Sequence, residues 1–551
     1  MNKTLPIHNT AQQMAARQRD ISVSEFFLKN RHLLGFDSPA KAILITIKEA
    51  VDNALDACED AGILPEIWVE ISYQVGDVYR IAVEDNGPGI LEAQLARIFG
   101  KLLYGSKFHK LSQSRGQQGI GISAAGMYAQ LTTGKPLHVI SQVQGESMAT
   151  ELLVSIDTTK NRPELHKKTK LNWHRPHGTR VEAQIEGHYP KGAHSIEMYL
   201  KQTAIANPHV TFHFKNLHGE QLIFQRSRCE IPVSPVEIKP HPHGIELGRL
   251  IQMLNNTDCH SLLQFLENEF SRVGRKTAQA IIQQANESLS ERSYPKRIAH
   301  AQASALYRSI KTVPVSAPRT DCLAPIGEQQ LAEGMRKEID ADFYVVTTRP
   351  PAVYRGNPFQ IEIGIAYGRP SRSELALDER GHIHQKKSHH HNKAESMVPT
   401  EEATQLLRFA NRVPLLYGQA GCAISKAVTN TNWHTYGLAQ NKGTLPSAPM
   451  IILVHVASVW VPFTSEAKEA IAAYDEIIKE IKLGLQECGR KLAVELHKKM
   501  RLKNEYNKRV HIEKYLPHIG IALQEILSLS DDQRKHTVAQ LDDVFQQTRK
   551  I

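Results

Sequence analysis

Glu49-Ala-Val-Asp52-Asn53-Ala-Leu-Asp56-Ala57, then Val83-Glu84-Asp85-Asn86-Gly87-Pro88-Gly89-Ile90, then Arg115-Gly116-Gln117-Gln118-Gly119-Ile120-Gly121-Ile122-Ser123: these three pieces decide the fold. Ile43, Leu44, Ile47, Val51, Ala54 and Leu55 recur at helical spacing, so the first piece lies on a helix with one buried face. Glu49, Asn53 and Asp56 share another face of that helix. The Asn53 amide oxygen is a hard donor suited to Mg²⁺. Glu49, one turn earlier, is placed to orient or deprotonate a water attacking a terminal phosphate. Taken alone, the same pattern fits an amphipathic helix with a solvated acidic face.

The second piece follows an alternating run, Val78 to Val83, and puts Asp85 at a strand end. A carboxylate there can accept a hydrogen bond from an exocyclic base amine, and Gly87 and Gly89 permit close approach of a ligand. By itself Asp-Asn-Gly-Pro-Gly is also good turn chemistry. In the third piece Gly116, Gly119 and Gly121 free successive backbone N–H groups for an anion. The helix expected from Ser123 adds its positive end. Ser106 and Lys107 read as lid residues within reach of phosphate oxygens.

In this order the pieces resemble the N, G1 and G2 boxes of the GHKL ATPases. Further motifs narrow the resemblance to the B subunits of type IIB DNA topoisomerase VI. They are Ser22 to Asn30, Gly35 to Pro39, Cys322 to Gly327, Thr348 to Phe359, Val454 to Ser458 and Pro462 to Glu469. The resemblance spans residues 20 to 505. It implies an α/β multidomain chain: a GHKL (Bergerat) ATPase sandwich, a helix-two-turn-helix domain, a βαβ-rich, ribosomal S5-like transducer and a long C-terminal helix. It implies ATP and Mg²⁺ as cofactors, with Glu49 as catalytic residue and Asn53 as metal ligand. Nucleotide contacts would come from Asn53, Asp85, Gly87, Gly89, Ser106, Lys107, Arg115, Gly116, Gln117, Gln118, Gly119, Ile120, Gly121 and Ile122.

The resemblance also implies an ATP-driven dimer clamp on double-stranded DNA, working with a DNA-cleaving A subunit in an A2B2 heterotetramer, in the cytoplasm and associated with the nucleoid. A switch-loop lysine in a Trp-Lys-x-Tyr motif would reach the γ-phosphate. Here that motif reads Trp433-His434-Thr435-Tyr436, so His434 takes the lysine's place, with Lys426 or Lys442 as substitutes. A neutral imidazole is a poorer phosphate partner than a fixed ammonium. A MutL-like repair ATPase and a nucleotide-sensing scaffold are the alternatives.

The bulk numbers agree. The 551 residues are 41% hydrophobic and 23% charged, the size of three or four domains. A net charge of +10 suits a polyanionic partner. The six cysteines are scattered without a CxxC pair, which argues against a zinc site or a disulfide framework. No apolar run reaches membrane-spanning length, so no membrane partner is expected. No GxxxxGK[ST] motif occurs, which excludes a P-loop. The expected division is 1–228 for the ATPase with its N-terminal arm, 229–308 for the helical domain, 309–470 for the transducer and 471–551 for the docking helix. One helix is expected from Glu466 to about Lys503, crossing into the last part, with shorter ones over 519–529 and 538–545.

Overall fold

The computed structural model describes residues 14–15, 18, 20–107, 110–116, 119–286, 288–369, 373–377, 383–387, 397–400, 403–465 and 467–548. For 373–377, 383–387 and 546–548 only the backbone is described.

Eight strands form the N-terminal sheet: β1 Glu66–Tyr73, β2 Val78–Asp85, β3 Leu137–Gln142, β4 Ala149–Asp157, β5 Arg162–Leu171, β6 Gly178–Glu186, β7 Thr211–Lys215 and β8 Gln221–Phe224. Their order is β5-β4-β3-β6-β2-β1-β7-β8, and every neighbouring pair is antiparallel except β1 with β7. The Pro39–Asp60 helix opens with proline in its first turn, where no N–H is needed. It buries Ile43, Leu44, Ile47, Val51 and Leu55 in the core shared with the sheet. The Gly121–Thr133 helix lies beside it, starting two residues before the expected Ser123. Strand β5 carries Lys167, Lys168 and Lys170 and is exposed along most of its length. As an edge strand it needs no buried face, so its sequence carries no alternation to read.

A second core, Leu250, Phe265, Ile281 and Leu306 among others, joins the helices Leu247–Asn256, Leu262–Glu269, Arg275–Ala285 and His300–Thr312. The next sheet contains β9 Phe343–Thr348, β10 Ala352–Tyr354, β11 Asn357–Tyr367, β14 Gln405–Ala410, β15 Val413–Pro414 and β18 Met450–Ser458. Its order is β10-β11-β18-β14-β15, with β9 also paired to β11. Hairpins β12 Ser373–Leu377 with β13 Ile383–Lys387, and β16 Ala439–Gln440 with β17 Pro446–Ser447, stand apart from it. β18 is buried at every position, as a central strand covered on both faces must be.

The C-terminal helix differs from expectation. It runs from Asp475 to Leu527, 53 residues and about 80 Å at 1.5 Å per residue. Residues 519–527 therefore belong to it, and a separate helix spans Asp531–Thr548. Its start falls nine residues after the expected Glu466. The described residues between Val461 and Tyr474 are irregular, with Lys468 at φ +53° and an isolated bridge from Phe463 to Ile471. Only the first turns pack on the transducer sheet, through Ile477, Ile481, Leu485 and Leu492.

The two sheets are held together where the Glu328–Glu338 helix crosses the Ile196–Ala206 helix. Ile205, Leu331 and Met335 share one core with Ile451 and Leu453 of β18. A Cβ on Gly334 would fall well inside contact distance of the Ile205 carbonyl oxygen. Gly334→Ala is expected to force these helices apart and lower stability by about 1–3 kcal/mol, read as a fall in the urea midpoint at unchanged slope.

Candidate nucleotide-hydrolysis site

A cavity of about 610 Å³ opens between the Pro39–Asp60 helix, the end of β2, the phosphate loop and the start of the Gly121–Thr133 helix. Glu49, Asn53, Asp85, Gly89, Ser106, Lys107, Gly116, Gly119, Ile120, Gly121 and Ile122 all line it. Val83, Pro88, Ile90 and Val181 supply apolar wall beside Asp85, suited to a flat aromatic base. Asn53 is exposed into the cavity although its helix neighbours Asp52 and Ala54 are buried.

The glycines answer to named neighbours. Gly119 adopts φ +58° and Gly89 φ +77°, and a Cβ on Gly89 would overlap the Gln142 carbonyl. A Cβ on Gly121 would overlap the Glu49 carboxylate. Gly87 lies just outside the cavity lining; its N–H donates to Asp85 Oδ1 at 2.8 Å. Thr179 N donates to the same oxygen at 3.2 Å. Burial nevertheless pushes the Asp85 carboxyl up to about 7, the two N–H bonds notwithstanding.

Glu49 behaves in the opposite way. Burial opposes its ionisation, but the charges of Lys48 and Lys468 and a hydrogen bond from Lys48 outweigh it and hold the carboxyl below its ordinary value. Lys48 Nζ sits 3.2 Å from Glu49 Oε1 and 3.1 Å from Asp52 Oδ2. A base that stays ionised near neutral pH suits a water-activating role.

Besides Gly87, two expected contacts are placed elsewhere. Arg115 does not line this cavity; its guanidinium turns beneath the loop, with Nη1 2.8 Å from Asp56 Oδ1 and Nη2 2.7 Å from Glu59 Oε1. A buried guanidinium takes carboxylate partners when they are within reach, so Arg115 shapes the loop from behind. His434 is the larger correction. It sits on the Trp433–Tyr436 turn, exposed, with Nε2 2.9 Å from the Gln440 carbonyl oxygen. That turn packs against the long helix, where a Cβ on Gly489 would meet the Tyr436 ring at 2.7 Å. Lys426 and Lys442 do not line the cavity either. The transducer residues that do are Ala467 and, beside it, Lys468. Its Nζ donates to the Arg115 carbonyl at 3.3 Å. The sequence holds this signal in Pro462 to Glu469, but the charged end of that run reads equally well as the start of a helix. Gln117 and Gln118 lie outside the described residues.

A family model described as "Histidine kinase-, DNA gyrase B-, and HSP90-like ATPase" matches residues 40–171. A second, described as the transducer of the topoisomerase VI B subunit, matches residues 318–508. The B subunit of type 2 DNA topoisomerase 6 from Archaeoglobus fulgidus is 46% identical over 515 residues, covering 93% of this chain and 80% of that protein. The chain belongs to the topoisomerase 6 B-subunit family. The corresponding protein of Methanococcoides burtonii is 45% identical over 518 residues, covering 94% of this chain and 79% of its own length. As a topoisomerase 6 B subunit the chain carries a GHKL ATPase domain, to which the cavity belongs, and a transducer, from which Lys468 comes. It is an ATP-hydrolysing topoisomerase subunit, which sets aside the MutL-like and scaffold readings. No helix among the described residues is long and apolar enough to cross a membrane.

Removing the cation beside Glu49 leaves burial as the dominant influence on its carboxyl. Lys48→Met is therefore expected to raise the apparent pKa of the base and move the acid limb of the ATPase pH–rate profile to higher pH. Gly121→Ala, which displaces the carboxylate itself, is expected to cut turnover about a hundredfold at every pH. Initial-rate measurements between pH 5 and 9 separate the two.

Proposed function

We propose that this protein is the ATP-operated half of a DNA clamp. The observation that carries the reading is Lys468: a transducer lysine stands in the wall of the ATPase cavity, so occupancy of the cavity and position of the transducer are mechanically linked. An incoming γ-phosphate gives that ammonium a stronger partner than the Arg115 carbonyl. Binding energy thereby favours one arrangement of the two sheets, and loss of the phosphate releases it.

Each side chain then has a task. Asp85 accepts from the adenine amino group, the N–H groups of Gly116, Gly119 and Gly121 face the phosphates, and the Lys107 ammonium turns to them from Asp56, 2.7 Å away. Glu49 holds the attacking water and takes its proton. Asn53 fits a divalent cation: its amide oxygen is exposed to the cavity on the same helix face as Glu49, and the loop passes close by, 3.8 Å from that oxygen to a Cβ built on Gly116. When bound, Mg²⁺ supplies charge neutralisation on the phosphates. The four parts at 1–228, 229–308, 309–470 and 471–551 act as motor, spacer, transducer and arm. Two copies close on ATP around a DNA duplex, and the long helix leads to a DNA-cleaving A subunit in an A2B2 assembly. The net charge of +10 suits the DNA partner and a place at the nucleoid.

The deciding experiment is DNA-stimulated ATP hydrolysis and supercoil relaxation by the protein reconstituted with a topoisomerase 6 A subunit. Glu49→Ala is expected to abolish turnover while ATP-dependent dimerisation persists. Lys468→Met is expected to lose relaxation, and His434→Lys to leave the ATP requirement unchanged. Hydrolysis that survives Glu49→Ala, or a strong gain from His434→Lys, would refute the assignment.

Asp85 gives a second check. Adenine recognition needs the ionised carboxylate, and in the free protein that group titrates at about 7. Protonation below that pH competes with binding. Nucleotide affinity is therefore expected to fall up to about tenfold per pH unit below 7, beyond the change shown by Asp85→Asn, in calorimetric titrations from pH 5.5 to 8.

A further inference from the structure

The transducer meets the phosphate loop at a second place. β14 and β15 are joined by Asn411-Arg412, both at positive φ, +48° and +67°, the signature of a two-residue type I′ hairpin turn. The tip of this turn enters the ATPase domain. Asn411 Nδ2 donates to the Ser114 carbonyl at 3.0 Å. The Arg412 carbonyl accepts from Asn207 Nδ2 at 3.3 Å. Asn207 is fully buried, and its Oδ1 accepts from the Arg115 guanidinium at 2.5 Å.

On the transducer side the contact continues inward. Arg412 N donates to His455 Nε2 at 2.9 Å, and His455 Nδ1 lies 2.7 Å from Glu362 Oε2. Because Nε2 is the acceptor, the ring proton sits on Nδ1 and is given to Glu362. Glu362 and His455 are both completely buried, on the adjacent central strands β11 and β18. Glu362 also accepts the N–H groups of Ile326 and Gly327, at 2.8 and 2.7 Å. An unbroken run of hydrogen bonds thus leads from the loop residue Arg115 to the middle of the transducer sheet.

Two links are under-satisfied, Arg115 at its buried Nε and Arg412 more heavily. The Arg412 side chain donates from Nη2 to the Ala324 and Pro325 carbonyls, while Nε and Nη1 are buried without a hydrogen-bond partner. The carboxylates whose charge reaches it, Glu59 and Glu362, are already engaged by Arg115 with His209 and by His455. Unmet buried donors are costly, so a small shift that hands Arg412 to either carboxylate relieves this arrangement. That is the property of a two-position element.

We propose that the Asn411-Arg412 turn is a second grip of the transducer on the phosphate loop, separate from Lys468, and that the Arg115–Asn207–Arg412–His455–Glu362 chain carries the loop's position into the sheet. The inference rests on the nucleotide-operated reading given above.

Two substitutions cut the grip. Asn207→Asp keeps the acceptor for Arg115 and removes the donor to the Arg412 and Thr203 carbonyls. Asn411→Asp tolerates the positive φ and keeps the acceptor for Ser458 N–H, while it removes the donor to the Ser114 and Ser458 carbonyls. Hydrogen–deuterium exchange is followed with and without a non-hydrolysable ATP analogue. In the wild type the analogue is expected to slow exchange at 110–116 and 119–121 and also at 405–415 and 451–458. In each variant the slowing at the loop persists and that in the transducer falls about fivefold. In the assembly with the A subunit, each variant is expected to hydrolyse ATP within about twofold of wild type and to remove about fivefold fewer supercoils per ATP. Undiminished transducer protection in both variants overturns the grip and leaves the clamp reading intact. Hydrolysis lost together with relaxation also overturns it, because the chain would then only build the site. A wild-type chain whose loop shows no response to the analogue overturns the clamp reading itself.

Discussion

Beneath the phosphate loop lies a guanidinium that the rest of the structure is arranged around. Arg115 is buried, and a buried cation is costly unless fixed acceptors meet it; here both Nη atoms are met, and only Nε is left without a partner. Asp56 and Glu59 come from the helix that also carries Glu49 and Asn53, and Asn207 comes from the end of the Ile196–Ala206 helix. Glu59 is held in place in turn by His209, 2.7 Å away. The pull of Arg115 and His209 keeps Glu59 far below the usual carboxylate range in spite of its burial. One side chain therefore ties the catalytic helix, the glycine loop and the helix under the transducer into a single body. Breaking such a pair on one side costs about 3–5 kcal/mol, far more than any surface ion pair here contributes.

That constraint explains how a loop rich in glycine can be both accurate and movable. Glycine gives the backbone freedom to point its N–H groups inward, and that freedom is an entropic liability in the absence of a tether. Here the tether is placed at the loop's first residue, and the contacts from the transducer are made next to it, at the Arg115 and Ser114 carbonyls. Lys41 adds a surface link to the same switch segment through Glu469 at 2.9 Å, with both side chains about one-fifth exposed. Energy from phosphate binding is thus delivered to atoms that already touch the second domain.

The sequence made the site legible in proportion to how local its chemistry is. Glu49, Asn53, Asp85 and the glycines stand in three short runs whose spacing carries their geometry, and all but Gly87 among them line the cavity. Arg115 was legible as a loop residue but not in its direction, because its acceptors come from positions 56, 59 and 207. The strand Val78–Asp85 announced itself by the alternation of Tyr79, Ile81 and Val83. Strand β5 did not, since an exposed edge has no buried face to encode.

The switch residue marks the point at which local reading fails for a physical reason. Ser465 to Ile481 is polar with spaced apolar residues, a pattern that helices and solvent-facing loops share. What separates them is tertiary: Lys468 must leave the transducer and cross to another domain, which a helix continuous with Asp475–Leu527 would prevent. The chain accepts a lysine at φ +53° in return for that reach, a strain that persists only where surrounding contacts over-determine it. Ala467 packed near Gly35 and Glu469 paired with Lys41 provide that over-determination from the ATPase side. The lysine at Trp433–Tyr436 is then free to be a histidine. That turn faces the long helix rather than the cavity, and among the described residues His434 is bonded to the Gln440 carbonyl and to no carboxylate.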